Sequence, residues 1–89
     1  MRRTRRKMSH EKLDGLEDRI RMLVYESDKS QYALEAEMLG RKPGELSHVF
    51  SRWLNEHSSP NAYYLAAICK YFDVSADWLL GLSDRRERE

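Results

Sequence analysis

The 89-residue chain has a single cysteine, Cys69, so no internal disulfide can form. Cys69 sits between Ile68 and Lys70 in an apolar helical pattern, which reads as a buried structural thiol rather than a nucleophile. No apolar run reaches the length of about eighteen residues that a transmembrane helix needs, which excludes that class of membrane protein. The amino-terminal segment is basic but no apolar stretch follows it, so it does not read as a secretory signal. The expected compartment is therefore reducing and soluble, with the cytoplasm as default. His10, His48 and His57 have no metal-ligand spacing with one another or with Cys69. No glycine-rich phosphate loop occurs, and no nucleophile is spaced from a base. Acidic residues are plentiful but fall at ordinary helical spacings on solvent faces. The expectation is a non-enzyme with no cofactor and no metal.

What the chain does have is charge, unevenly spread. Charged residues make up 35% and apolar residues 40%, enough for one modest core in one domain. The net charge is only +1, yet Arg2, Arg3, Arg5, Arg6 and Lys7 place five positive charges on the first nine residues. The remaining body is slightly acidic. A basic arm on such a body is suited to neutralising phosphates of a nucleic acid; a merely solubilising tail is the alternative. Arg85-Arg86-Glu87-Arg88-Glu89 mixes both signs and is expected to fray into solvent.

Periodicity predicts five helices, near 14–27, 30–39, 43–55, 60–72 and 75–82, and there is neither a strand signal nor an internal repeat. Asp14 and Glu17 read as a capping box for the first helix. Ser30 reads as the cap of the second and Gly40 as its end. Pro43 restarts the chain in the first turn of the third helix. There Leu46, Val49, Phe50, Trp53 and Leu54 follow the spacing of a core-facing stripe. Ser59 with Pro60 is expected to open the fourth helix, and Ser75 the fifth. The predicted core comprises Leu16, Ile20, Leu39, Leu46, Val49, Phe50, Trp53, Leu65, Ile68, Phe72 and Trp78. The fold class is all-α, a compact orthogonal bundle of five short helices containing a helix-turn-helix.

A helix-turn-helix needs a small residue where its helices touch, a residue free to take positive φ in the turn, and an apolar anchor on the second helix. Ala36, Gly40 and Leu46 stand in that order. Here the chain resembles the lambda-repressor/Cro-like (XRE-type) helix-turn-helix family. Lys29-Ser30-Gln31 resembles that family's opening of helix two. Asn61-Ala62-Tyr63, Ala66, Lys70 and Val74-Ser75 resemble its fourth helix and the following turn, and Asp77-Trp78-Leu79-Leu80-Gly81 its fifth. The resemblance divides the chain into an arm (1–13), a helix-turn-helix domain (14–84) and a charged tail (85–89). The chain departs from the pattern in three ways. Ser30 and Ala36 are one residue further apart than usual, which leaves open whether Gln31 or Tyr32 faces DNA. Glu35 and Arg41 stand where the family has apolar residues. About four extra residues between Leu46 and Asn61 fit one additional turn of helix three. A second alignment takes Ser51-Arg52-Trp53-Leu54-Asn55 as the reading segment.

Stepping about 100° per residue from Leu46 places Gly44, His48, Ser51 and Asn55 opposite the apolar stripe, flanked by Ser47 and Arg52. Those side chains suit base edges, while Arg41 and Lys42 suit phosphates or a guanine. The resemblance implies a double-stranded DNA partner read by helix three in the major groove, and a role as a small transcriptional repressor or regulator. It also implies a homodimer, for which exposed tyrosines among Tyr63, Tyr64 and Tyr71, or the 79–82 segment, could supply the contact. The alternative is a protein-interaction module or antitoxin whose partner is a protein.

If the arm contacts phosphates, deleting residues 2–7 weakens binding to all DNA sequences alike. It also flattens the salt dependence by a slope of about 0.9 per lost contact. Titrations across ionic strength check this, and an unchanged slope makes the arm a bystander.

Overall fold

A computed structural model describes residues 15–88, which form α-helices α1 (Leu16–Ser27), α2 (Gln31–Leu39), α3 (Val49–Asn55), α4 (Ala62–Phe72) and α5 (Ala76–Leu79). The described residues contain no strand, and the helices pack as a compact all-α bundle. The arm residues Arg2, Arg3, Arg5, Arg6 and Lys7, and the expected cap Asp14, lie outside the described residues.

Local chemistry sets most helix ends. At the start of α1 the N-cap is Gly15 in the left-handed region, without a side-chain cap. The Ser30 hydroxyl accepts from the Ala33 N–H at 3.0 Å and opens α2. Gly40, at φ 67°, closes α2 while its N–H and that of Arg41 turn back to the Ala36 carbonyl. No neighbour lies within 4 Å of a Cβ added there, so glycine serves the conformation and not a close approach. For α4 the cap is Asn61, whose side chain accepts from the Tyr64 N–H at 3.0 Å. It replaces the expected Ser59, and Pro60 is buried before the helix begins. Ser75 caps α5 as expected. That helix stops at Leu79 and not at Leu82, because Gly81 turns left-handed and the Leu82 N–H reaches back to the Asp77 carbonyl at 2.8 Å.

The largest departure concerns the third helix. Instead of one helix over 43–55, a 3₁₀ turn at Pro43–Glu45 is followed by an extended Leu46 and a left-handed His48, and only then by α3. The connection between α2 and α3 therefore takes nine residues, 40–48, and α3 itself has seven residues with no additional turn. Leu46 consequently precedes the helix it was expected to anchor. It is half-buried and stands outside the core cluster.

The core joins Leu16, Ile20 and Leu23 of α1 to Leu34 of α2, to Val49, Phe50, Trp53 and Leu54 of α3, and to Ile68, Cys69, Val74, Trp78 and Leu79. Leu39, Leu65 and Phe72 pack against it half-buried. Cys69 is buried as expected, and that burial pushes its thiol pKa up. α1 packs on α3 and α5, α2 on α3 and α4, and α4 on α5. The tail does not fray. The Arg86 carbonyl accepts from the Ser75 N–H at 2.8 Å, and its guanidinium meets Glu26 at 2.5 Å and lies 5.1 Å from the Trp78 ring centre. Glu89 lies outside the described residues.

Trp53 is 4% exposed and stacks edge-on with Phe50 at 5.0 Å and Tyr64 at 5.4 Å. Replacing Trp53 with alanine therefore costs about 3–5 kcal/mol of a total near 5–15 kcal/mol. Denaturant titration checks this, and a cost below about 1 kcal/mol contradicts the packing described.

Candidate nucleic-acid interface

Glu35 governs the geometry of this region. Its side chain is 1% exposed, on the face of α2 turned toward α3. Oε2 accepts from the Ser47 N–H at 2.7 Å and from Arg41 Nη1 at 2.8 Å, while Oε1 accepts from the Val49 N–H at 3.2 Å. Arg41 Nη1 also donates to Ser47 Oγ, and Nη2 to the Tyr64 hydroxyl, both at 3.1 Å. Burial alone pushes the Glu35 pKa up, but the Ser47 N–H, Arg41 and the Val49 N–H together outweigh it and leave the carboxyl below its ordinary value.

The same bonds explain why no helix runs through 43–55. In a continuous helix the N–H groups of Ser47 and Val49 would bond the carbonyls four residues earlier. A hydrogen bond to a charged group contributes about 1.5–3 kcal/mol, against 0.5–1.5 kcal/mol for a neutral pair. With two such donors at stake, and Gly44 a poor helix former, the carboxylate wins. The other end of α3 is also held: Arg21 donates to the Leu54 carbonyl at 3.2 Å, and Glu17 bonds both Arg21 and the ring of His57 at 2.8 Å.

Held at both ends, α3 turns Val49, Phe50, Trp53 and Leu54 inward and leaves Ser51, Arg52 and Asn55 on its outer side. A cleft of about 230 Å³ separates this side from the first turn of α2 and is lined by Gln31, Tyr32, Glu35, His48, Phe50, Ser51 and Asn55. Five of the ten expected body contacts therefore come together: Gln31, Tyr32, His48, Ser51 and Asn55. Gln31 and Tyr32 both line it. Asn55 Nδ2 donates to Ser51 Oγ at 3.2 Å, and Tyr32 meets His48 edge-on at 5.5 Å.

The other five are dispersed. Arg52 is exposed on α3 and joins no salt bridge among the described residues. Lys42 and Gly44 sit on the exposed 3₁₀ turn and not on a helix face. Arg41 and Ser47 are engaged by the Glu35 network, Arg41 through both Nη atoms and Ser47 through its N–H and as an acceptor at Oγ. The exposed ionic groups of residues 42–56 are Lys42 and Arg52 against Glu45 and Glu56, so this face is close to neutral. Of the helix-four tyrosines, Tyr63 is exposed, whereas Tyr64 and Tyr71 are half-buried with their hydroxyls on Arg41 and Glu37.

Sequence reasoning missed Glu35 and Tyr64 as parts of this region. The available signal was the pair of charges, Glu35 and Arg41, at positions where the pattern asks for apolar residues. Among the described residues no group of three or more His, Cys, Asp or Glu side chains could hold a metal ion, and no helix is long and apolar enough to cross a membrane. No protein-family model, curated protein or solved structure matches the chain.

Because the folded pKa of Glu35 is depressed, its stabilisation is fully present above the unfolded value near 4.3 and is lost as pH falls through the folded value. Glu35→Gln removes that contribution, costing about 1–3 kcal/mol at pH 7. The gap between wild type and variant closes on acidification below the ordinary Glu value. Urea titrations from pH 7 downward measure it, and a gap independent of pH contradicts the charged capping described.

Proposed function

We propose that the chain is a sequence-specific double-stranded-DNA-binding protein, a small cytoplasmic transcriptional regulator of the lambda-repressor/Cro-like kind. In this reading α2 and α3 form its helix-turn-helix with a lengthened turn, and α3 enters the major groove. The observation that carries the reading is the convergence of Gln31, Tyr32, His48, Ser51 and Asn55 on one polar cleft, beside the uncommitted guanidinium of Arg52, on a helix fixed at both ends. These side chains offer the donors and acceptors that distinguish base pairs in the major groove, and arginine, asparagine and glutamine are its strongest readers.

The register that fits is the one with Ser51–Asn55 as reading segment, since Val49 is the first residue of α3. A near-neutral face does little to attract phosphates, so the electrostatic part of binding falls to the arm and to Lys42. One seven-residue helix reads a short site, and a two-fold pair of chains with their helices about 34 Å apart would read a palindrome. Tyr63 and Leu82, 67% and 73% exposed, are the groups expected for that pairing, and Tyr25 is exposed as well, at 85%. The near-neutral face and these exposed groups equally favour a second reading, a protein partner such as a toxin bound by the same fold.

Arg52→Ala relaxes preference at one base position, worth about 1–3 kcal/mol of discrimination, whereas Lys42→Ala weakens binding evenly across sequences. Selection from a random duplex library with wild type and both variants measures the difference. If wild type enriches no sequence and neither variant alters binding, the protein-partner reading replaces this one.

A further inference from the structure

Among the described residues, four other than glycine have left-handed backbone: Asp28, His48, His57 and Asp73. Asp28 and Asp73 are C-terminal caps of α1 and α4, where one left-handed residue is an ordinary ending. His48 stands at the opposite kind of end. It is the N-cap of α3, at φ 58° and ψ 43°, and its side chain makes no capping bond. An N-cap is normally extended, with a side-chain oxygen that accepts from the following turn. Ser30, Asn61 and Ser75 obey that rule in this chain. Left-handed backbone is uncommon outside glycine, although histidine, asparagine and aspartate take it more often than other residues, and here the surroundings impose it.

Glu35 imposes it. The N–H groups on either side of residue 48, those of Ser47 and Val49, converge on the one carboxylate at 2.7 and 3.2 Å. That fixes the Leu46–Ser47 and His48–Val49 peptide planes, and Arg41, itself bonded to the Tyr64 hydroxyl, holds the carboxylate in turn. The start of α3 is thus capped from another helix, and position 48 has no need of Ser, Thr, Asp or Asn. Its imidazole is exposed, with Tyr32 edge-on to it, at the wall of the cleft that Gln31, Ser51 and Asn55 share.

We infer that Glu35 is a positioning residue that caps α3 in place of residue 48, and that this arrangement frees His48 to set the base preference of the cleft. The inference rests on the DNA-reading proposal and deepens it. The ligand it names is a purine edge, because an imidazole N–H matches the N7 acceptor that guanine and adenine present in the major groove.

The experiment compares wild type, His48→Asn, Glu35→Gln and the double variant Glu35→Gln/His48→Asp. Each is measured for its urea midpoint, for affinity to the duplex that wild type selects, and for affinity to an unrelated duplex. His48→Asn is expected to keep or raise the midpoint, lose about tenfold in affinity for the selected duplex, and bind the unrelated duplex unchanged. Glu35→Gln lowers the midpoint and reduces the ratio between the two duplexes. The double variant regains midpoint, since aspartate caps from its own position, without regaining the ratio. The inference is overturned if His48→Asn selects the wild-type sequence with wild-type affinity, a result that does not depend on how well the Glu35 variants fold. It is equally overturned if the double variant restores both stability and preference. A wild type that selects no sequence brings down the DNA-reading proposal and this inference together; a selective wild type unaffected by His48→Asn brings down the inference alone.

Discussion

A carboxylate cannot be buried among apolar side chains unless its charge is met by donors. Glu35 meets this requirement with one guanidinium and two backbone N–H groups, and each of them constrains a different part of the chain. Through Arg41 the carboxylate ties α2 to the Tyr64 hydroxyl of α4. Through Ser47 and Val49 it sets where the nine-residue connection stops and where α3 starts. The aromatic cluster of Phe50, Trp53 and Tyr64 then packs against a helix whose start is already fixed. Removing the charge would loosen the core and the exposed face of α3 together.

The opposite side of the bundle is held by cations meeting carbonyls and a ring. Arg19 donates to the carbonyls of Trp78 and Ser83 and lies over the Trp78 ring at 5.0 Å. Arg86 reaches the same ring and Glu26, so Trp78 is flanked by two guanidiniums. Cation–π contacts of this kind are favourable when partly desolvated, which is why a highly charged tail folds back on the body. α1 thereby links both regions, with Arg21 on the end of α3 and Arg19 on α5.

The parts of the fold that were legible in the sequence are those fixed within a few residues. Ser30, Gly40 and Ser75 cap or close helices through bonds spanning three to five positions, and the stripes of α1, α3 and α4 face the core as their spacing implies. The break at residues 46–48 was hidden because its cause lies twelve and fourteen residues away in Glu35. The docked tail was hidden for the same reason, since Arg86 and Glu26 are sixty residues apart. His48, Ser51 and Asn55 keep a common side despite the misplaced helix, while Arg41 and Ser47 bond to a network around a carboxylate that the apolar pattern does not anticipate. Charges at apolar positions of an otherwise regular pattern are therefore worth reading as a pair.

A capping bond supplied by α2 fixes the connection, and the fixed connection presents α3 and the first turn of α2 as a single polar face. Backbone amide NMR during titration with a selected DNA duplex tests this most directly. The account predicts the largest perturbations at Gln31, Tyr32, His48, Ser51, Arg52 and Asn55, with the Ser47 and Val49 amides remaining bonded to Glu35. Perturbations centred on Tyr63 and Leu82, with the α2–α3 face silent, would contradict it.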